Sequence, residues 1–160
     1  LYIHDPLTGL YNRMAYEKLA LPLFQICMGE SRSVGILFID ADHLKYINDN
    51  FGHEMGNLAI SNIASVIQRH CPLNAIAMRY GGDEFVCVIP GTDQQQLVLL
   101  EQQITDSLSG LSENNLFDFP IEARIGFVIA DNPELSLNDY INLADEKMYA
   151  VKKARRAARK

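Results

Sequence analysis

The stretch Ala75-Ile76-Ala77-Met78-Arg79-Tyr80-Gly81-Gly82-Asp83-Glu84-Phe85-Val86-Cys87-Val88-Ile89 decides the fold. Two short β-prone runs, 75–80 and 85–89, flank Gly-Gly-Asp-Glu and read as a hairpin closed by a glycine turn. Upstream, Val34 to Asp40 (VGILFID) is apolar and β-branched without alternation, the pattern of a strand covered on both faces. Downstream, Ile121 to Ala130 is a further strand. Helical patterns fill the intervals. The first runs from Arg13 to Met28, with Asn12 as its N-cap and Pro22 expected to kink it. A loop and short helix carry DADHLKYINDNFGHEMG, and Asn57 to His70 follows with helical apolar spacing at Leu58, Ile60, Ile63, Ala64 and Ile67. Thr92-x-x-Gln95 has capping-box form and opens a helix to Leu108; Ser136-x-x-Asp139 opens the last one. The order helix, strand, helix, hairpin, helix, strand, helix predicts one α/β domain of the α+β kind over residues 1–160, a mixed central β-sheet flanked by helices.

Composition fits that reading. With 160 residues, 48% hydrophobic and 21% charged, the chain can bury a core without disulfide or metal staples. No run approaches the roughly 20 apolar residues of a membrane span, and no secretory signal pattern opens the chain, so no membrane contact is expected of this domain. Cys27, Cys71 and Cys87 cannot all pair, and none has CxxC or Cys/His metal spacing. Free thiols in a reducing, cytoplasmic compartment are expected. Because the sequence starts at Leu1 rather than Met, we expect a domain from a longer protein.

Charge is unevenly spread. Twenty acids face fourteen Lys and Arg, a net −6, yet six of those cations crowd residues 152–160. Without them the body carries −12, which repels nucleic-acid phosphate; no nucleic-acid partner is expected. A basic helix C-terminus also has a plain electrostatic use, since cations there offset the helix dipole.

Carboxylates gather at two places. Asp40 and Asp42 follow the end of the first strand, and Asp83 and Glu84 stand at the hairpin tip. If the strands are neighbours, these groups come within metal-sharing distance. Such a set suits Mg2+ or Mn2+ shared with substrate phosphates, and a two-metal carboxylate site can hold the attacking and leaving oxygens of an in-line phosphoryl displacement. Taken singly, acids at turns are usually just solvated.

Gly81-Gly82-Asp83-Glu84-Phe85 spells the signature of the GGDEF family, the bacterial diguanylate cyclase domains, and four more segments resemble that family in order and spacing. Asp5-Pro6-Leu7-Thr8-Gly9-Leu10-Tyr11-Asn12-Arg13 resembles its opening DxLTGLxNR motif. Asp40-Ala41-Asp42-His43-Leu44-Lys45-Tyr46-Ile47-Asn48-Asp49 is similar to its DxDxFKxIND segment, which Gly52-His53-Glu54-Met55-Gly56 continues. Ala144-Asp145, Met148-Tyr149 and Lys152 match its last helix. The similarity runs from residue 5 to about 156.

The resemblance implies a polymerase-palm-like fold and a defined chemistry. Two GTP-loaded domains face each other as a homodimer, each 3′-OH attacks the other's α-phosphate, and cyclic di-GMP and two pyrophosphates result. It implies Mg2+ or Mn2+, two per half-site, on Asp40, the Ala41 carbonyl and Asp83, with Asp83 or Glu84 helping to deprotonate the 3′-OH. Gly81 and Gly82 would let the nucleotide approach the hairpin. The backbone N–H groups of His43, Leu44 and Lys45 would cradle phosphate, and Lys152 and Arg156, four apart on one helix face, would add charge. The resemblance also implies a longer signalling protein, with an upstream sensory domain as the regulatory partner, in the cytoplasm or as the cytoplasmic part of a membrane-bound sensor.

The chain departs from the family pattern in several places. Asn48 and Asn57 stand at the guanine pocket, where the family has Asn and Asp. An amide cannot accept both guanine N–H groups as a carboxylate does, which leaves open a relaxed base choice that admits ATP. Asn57 also reads as an ordinary first-turn helix residue. Pro72-Leu73-Asn74-Ala75 stands where many members carry the RxxD product-binding motif, so no product inhibition is expected there. His43 replaces the usual Phe and, without a second His at ligand spacing, reads as a loop residue. Arg79 reads as a residue that orients the hairpin. A non-catalytic nucleotide-binding or interaction domain is the reading from another class.

Overall fold

The computed structural model describes residues 2–114 and 117–158. A π-helical turn, Tyr16–Ala20, leads into α1 (Leu21–Gly29). Then follow β1 (Val34–Asp42), α2 (Leu44–Phe51), α3 (His53–His70), β2 (Ile76–Arg79), β3 (Glu84–Pro90), α4 (Gln94–Glu113), β4 (Glu122–Ala130) and α5 (Leu137–Ala158). Of the basic tail, Arg159 and Lys160 lie outside the described residues.

The strands form one sheet in the order β2-β3-β1-β4, and each neighbouring pair is antiparallel. Helices on a central sheet are as expected, while the pairing of the four strands is antiparallel where a mixed sheet was expected. The reason is topological. The hairpin sends β2 to the outer edge and returns β3 along β1, so no crossover joins adjacent parallel strands. Among the described residues, parallel pairing is confined to the isolated bridge between Tyr11 and Met78.

β1 is buried along its whole length and divides the core. Leu37, Ile39 and Ala41 face α3 and α4, with Phe85, Ile63, Ile67 and Ile104. Val34, Ile36 and Phe38 face α1 and α5, with Val86, Phe24, Ile141 and Met148. Period-2 alternation carries the second face onward to Asp40 and Asp42, so both carboxylates point to the α5 side. They lie inside the strand rather than beyond its end, because pairing with β4 continues to Asp42–Glu122.

Two local readings shift. Pro22 cannot donate to the Lys18 carbonyl and its ring would crowd it; the helix accommodates this with a wide turn in which Leu21 N–H reaches back to Tyr16. The α4 capping box is Asp93 with Gln96, one residue later than expected. Asp93 Oδ1 accepts from Gln96 N–H at 2.8 Å, and Gln96 Oε1 accepts from Asp93 N–H at 3.1 Å. The Ser136–Asp139 box opens α5 as expected, with both reciprocal bonds made.

α5 seats on β4 at Gly126. A Cβ there would collide with the Ala144 carbonyl oxygen and the Met148 nitrogen, both backbone atoms that cannot turn aside. Cys27, Cys71 and Cys87 are free. No helix among the described residues is long and apolar enough to cross a membrane.

Candidate active site

The carboxylates meet where β1 passes the hairpin tip. Ala41 N–H donates to the Asp83 carbonyl at 2.9 Å, which continues the β1–β3 ladder beyond Asp40–Glu84. Asp83 thereby sits beside Asp40. Burial, then the nearby Asp83 charge, raise the Asp40 pKa to about 6. Asp40 is 8% exposed, and its Oδ1 is buried with no hydrogen-bond partner. A buried acceptor facing a second carboxylate is a place where a divalent cation would satisfy both groups, and an all-oxygen donor set suits Mg2+ or Mn2+. The residues present therefore fit such an ion.

The other Asp40 oxygen is already taken. Arg124, its cross-strand partner on β4, donates from Nη2 to Asp40 Oδ2 at 2.8 Å and from Nη1 to Asp42 Oδ1 at 3.2 Å. Arg155 of α5 donates to Asp42 Oδ2 at 3.2 Å and to the Ala123 carbonyl at 3.2 Å. Neither arginine was singled out from the sequence. A signal existed for Arg124: beyond Glu122 at its first position, the apolar run EARIGFVIA holds a charged residue in its interior, which demands a buried partner. Arg155, three residues after Lys152, shares its helix face as Arg156 does.

A cavity of about 440 Å³ opens beside this network. Ala41, His43, Leu44, Lys45 and Asp83 line it together with the cations Arg124, Lys152, Arg155 and Arg156. His43 is the N-cap of α2 in the left-handed conformation (φ 60°), and no side chain caps the helix. The first-turn N–H groups of α2 thus stand without a side-chain acceptor at the cavity wall, as an anion site requires. Lys152 is half-buried and Arg156 exposed, so both members of the expected cationic pair reach the same cavity.

His43 Nε2 lies 3.6 Å from Asp42 Oδ2 and 3.9 Å from Glu122 Oε2. These three residues bring their ligand atoms within 4.8 Å of one another. Both Asp42 oxygens accept from guanidiniums, however, which makes the trio part of an ion-pair network.

Glu84 lies apart from the cavity. Its carboxylate folds back over Gly81, where a Cβ would strike Oε1. Burial, then Asp83 and Asp145, push its pKa up, and Arg13 opposes them. At Gly82 the space a Cβ would enter is open. Arg79 spans the turn: Nε and Nη2 donate to the Gly82 carbonyl at 3.1 and 2.7 Å, while Nη1 pairs with Asp5 Oδ1 at 3.2 Å. That is the orienting role expected of it.

Asn48 lies on α2 against Gly56, where a Cβ would overlap its Oδ1, and Asn57 is exposed on the second turn of α3, not the first as expected, because the helix already starts at His53. The bend at Gly52 (φ 91°) brings these helices together and sets Asn48 beside the residue preceding Asn57.

Comparison with known proteins agrees with this geometry. The model of the family described as "Diguanylate cyclase, GGDEF domain" matches residues 2–158. This chain belongs to the GGDEF family. It is 31% identical over 153 residues to the probable diguanylate cyclase DgcC of Escherichia coli K12, covering 95% of this chain and 41% of that protein. It is 28% identical to the bifunctional diguanylate cyclase/cyclic di-GMP phosphodiesterase MucR of Pseudomonas aeruginosa, covering 95% of this chain and 22% of MucR. The GGDEF chain thus spans less than half of either relative. Among solved structures, the GGDEF domain of DgcB from Caulobacter crescentus, in complex with c-di-GMP, superposes with a TM-score of 0.87 at 28% identity, over 95% of this chain and 91% of that one.

Proposed function

We propose that this GGDEF domain condenses two GTP molecules into cyclic di-GMP and two pyrophosphates, between two facing copies of the domain. The observation that carries the reading is the unpartnered, buried Oδ1 of Asp40 beside Asp83, at a cavity walled by cations and the α2 N-terminus.

Asp40, the Ala41 carbonyl and Asp83 would hold Mg2+ or Mn2+, which supplies charge neutralisation at the α-phosphate and a more acidic 3′-OH. The N–H groups at the start of α2, with Lys152 and Arg156, bind the β- and γ-phosphates and stabilise the leaving pyrophosphate. Asp83, which lines the cavity, is better situated than Glu84 to accept the 3′-OH proton. In each half-reaction a P–O bond forms from the partner's 3′-oxygen and the bond to pyrophosphate breaks. One domain carries one GTP, so turnover needs a homodimer, and an upstream sensory domain would govern that pairing in the cytoplasm.

A second reading is favoured by Asn57, which is exposed and stands where the family resemblance puts the guanine pocket. Lacking a second acceptor oxygen, it relaxes base choice and admits ATP into a mixed product.

Chromatography of the products after incubation with Mg2+ or Mn2+, with GTP alone and with equal GTP and ATP, tests both readings. Cyclic di-GMP alone supports the cyclase with guanine selection, and a mixed product supports the second reading. No product, even from a domain fused to a dimerising segment, together with retained GTP binding, would leave a non-catalytic binding domain.

A further inference from the structure

We infer that Arg124 takes the place of a second metal ion, so that each nucleotide-loaded domain takes up one divalent cation rather than two. The inference rests on the metal–nucleotide reading of this site and specifies its stoichiometry.

A carboxylate bridges two cations most simply by offering one oxygen to each. Asp40 has one oxygen to offer: Oδ2 accepts from Arg124 at 2.8 Å, while Oδ1 is buried and unpartnered. Asp42, the next acid on the same face of β1, has both oxygens engaged by cations: Arg124 and Arg155 each donate to one of them at 3.2 Å, so a metal ion there would stand against two guanidinium charges. The guanidinium of Arg124 therefore bridges the two aspartates at the position a second cation would need.

Register makes this arrangement durable. Asp40 and Arg124 are directly opposed in the β1–β4 ladder, and both are 8% exposed. An ion displacing Arg124 from Asp40 would strip a buried guanidinium of its closest partner, a heavily penalised change.

The test is a Mn2+ titration followed by electron paramagnetic resonance, on the whole 160-residue chain. Guanosine 5′-[α,β-methylene]triphosphate serves as the nucleotide, since it holds metal without turning over. Wild type is expected to bind one Mn2+ per chain without Mn–Mn dipolar broadening. Arg124→Gln, which keeps hydrogen bonding but loses the charge, is expected to bind two, with the broadening of ions about 4 Å apart. Arg124→Lys, which keeps the charge, is expected to remain at one and shows whether charge rather than packing decides. Two ions on wild type would overturn the role of Arg124 while leaving the metal–nucleotide reading intact. One ion on a cooperatively melting Arg124→Gln would overturn it as well. No Mn2+ on nucleotide-loaded wild type would overturn the metal–nucleotide reading and this inference with it.

Discussion

Ala41 N–H donates to the carbonyl of Asp83 at 2.9 Å, one step beyond the last β1–β3 pair. That single backbone bond ties the glycine turn to the central strand. It holds two carboxylates of like charge side by side in a largely dry place, a configuration that costs stability and is retained where it serves binding.

Removing one of the two charges should therefore stabilise the fold. Burial and the Asp83 charge raise the folded-state pKa of Asp40 from 3.8 to about 6, so the folded protein holds that proton more tightly than the unfolded chain. The stability owed to Asp40 is full below pH 4 and is lost as pH rises through about 6. Asp83→Asn is expected to raise the melting temperature at pH 7.5 by about 2–4 °C, the shift given by roughly 1 kcal/mol. The gain should disappear near pH 4. Calorimetry at both pH values decides it; an equal shift at each would mean that repulsion from Asp83 is not the cause.

The same proton competes with metal. Mn2+ affinity should be level above pH 7 and fall by up to about tenfold per pH unit below 6, because a protonated Asp40 offers no charged oxygen. Titrating Asp40→Asn in parallel separates this from protonation of the nucleotide. Wild type and variant with the same pH profile would remove Asp40 from the ligand set.

Gly126→Ala tests how α5 is positioned. A methyl group there meets backbone atoms of Ala144 and Met148, so α5 must lift away from β4, carrying Lys152, Arg155 and Arg156 with it. We expect a loss of about 1–3 kcal/mol in urea unfolding and weaker binding of a fluorescent GTP analogue. Loss of stability with unchanged nucleotide affinity would show that the cations of α5 do not bind phosphate.

Asn57→Asp restores a second acceptor oxygen at an exposed position, where it needs no repacking. GTP affinity should rise about tenfold, the equivalent of one charge-assisted hydrogen bond, with ATP affinity unchanged or lower. Competition between the two nucleotides measures it. An equal effect on both would place the base elsewhere.

Arg79→Met should loosen the turn without touching nucleotide. Three of its donors reach the Gly82 carbonyl and Asp5, so losing them misplaces Asp83 rather than the phosphate cradle. A fall of about tenfold or more in kcat with little change in KM is expected. A rise in KM alone would assign Arg79 to substrate binding.

The chain by itself determined whatever rests on neighbours in sequence. The Gly81-Gly82 hairpin, the apolar run of β1 and the Ser136–Asp139 cap are local patterns whose energetics need only a few adjacent residues. The acids of the candidate site were legible as residues in the sequence, while the start of α2 and Lys152 were singled out only through the family resemblance. Near misses came where two local options differ little. Asp93 rather than Thr92 caps α4 because Thr92 is buried and its hydroxyl donates to Gln96 Oε1 instead. The strain at Pro22 relaxes in a wide turn as readily as in a kink.

Only the tertiary structure decided which charges meet. Asp40 and Arg124 are 84 residues apart, and their contact depends on β4 lying beside β1 in one particular register. A slip of one residue would send Arg124 to the opposite face of the sheet. Arg155 reaches Asp42 because Gly126 lets α5 approach the sheet closely, a distance set by packing that no window of sequence contains. The antiparallel order β2-β3-β1-β4 belongs to the same class of fact. Local sequence specifies each strand, but only burial of both faces of β1 at once selects the strands that lie beside it.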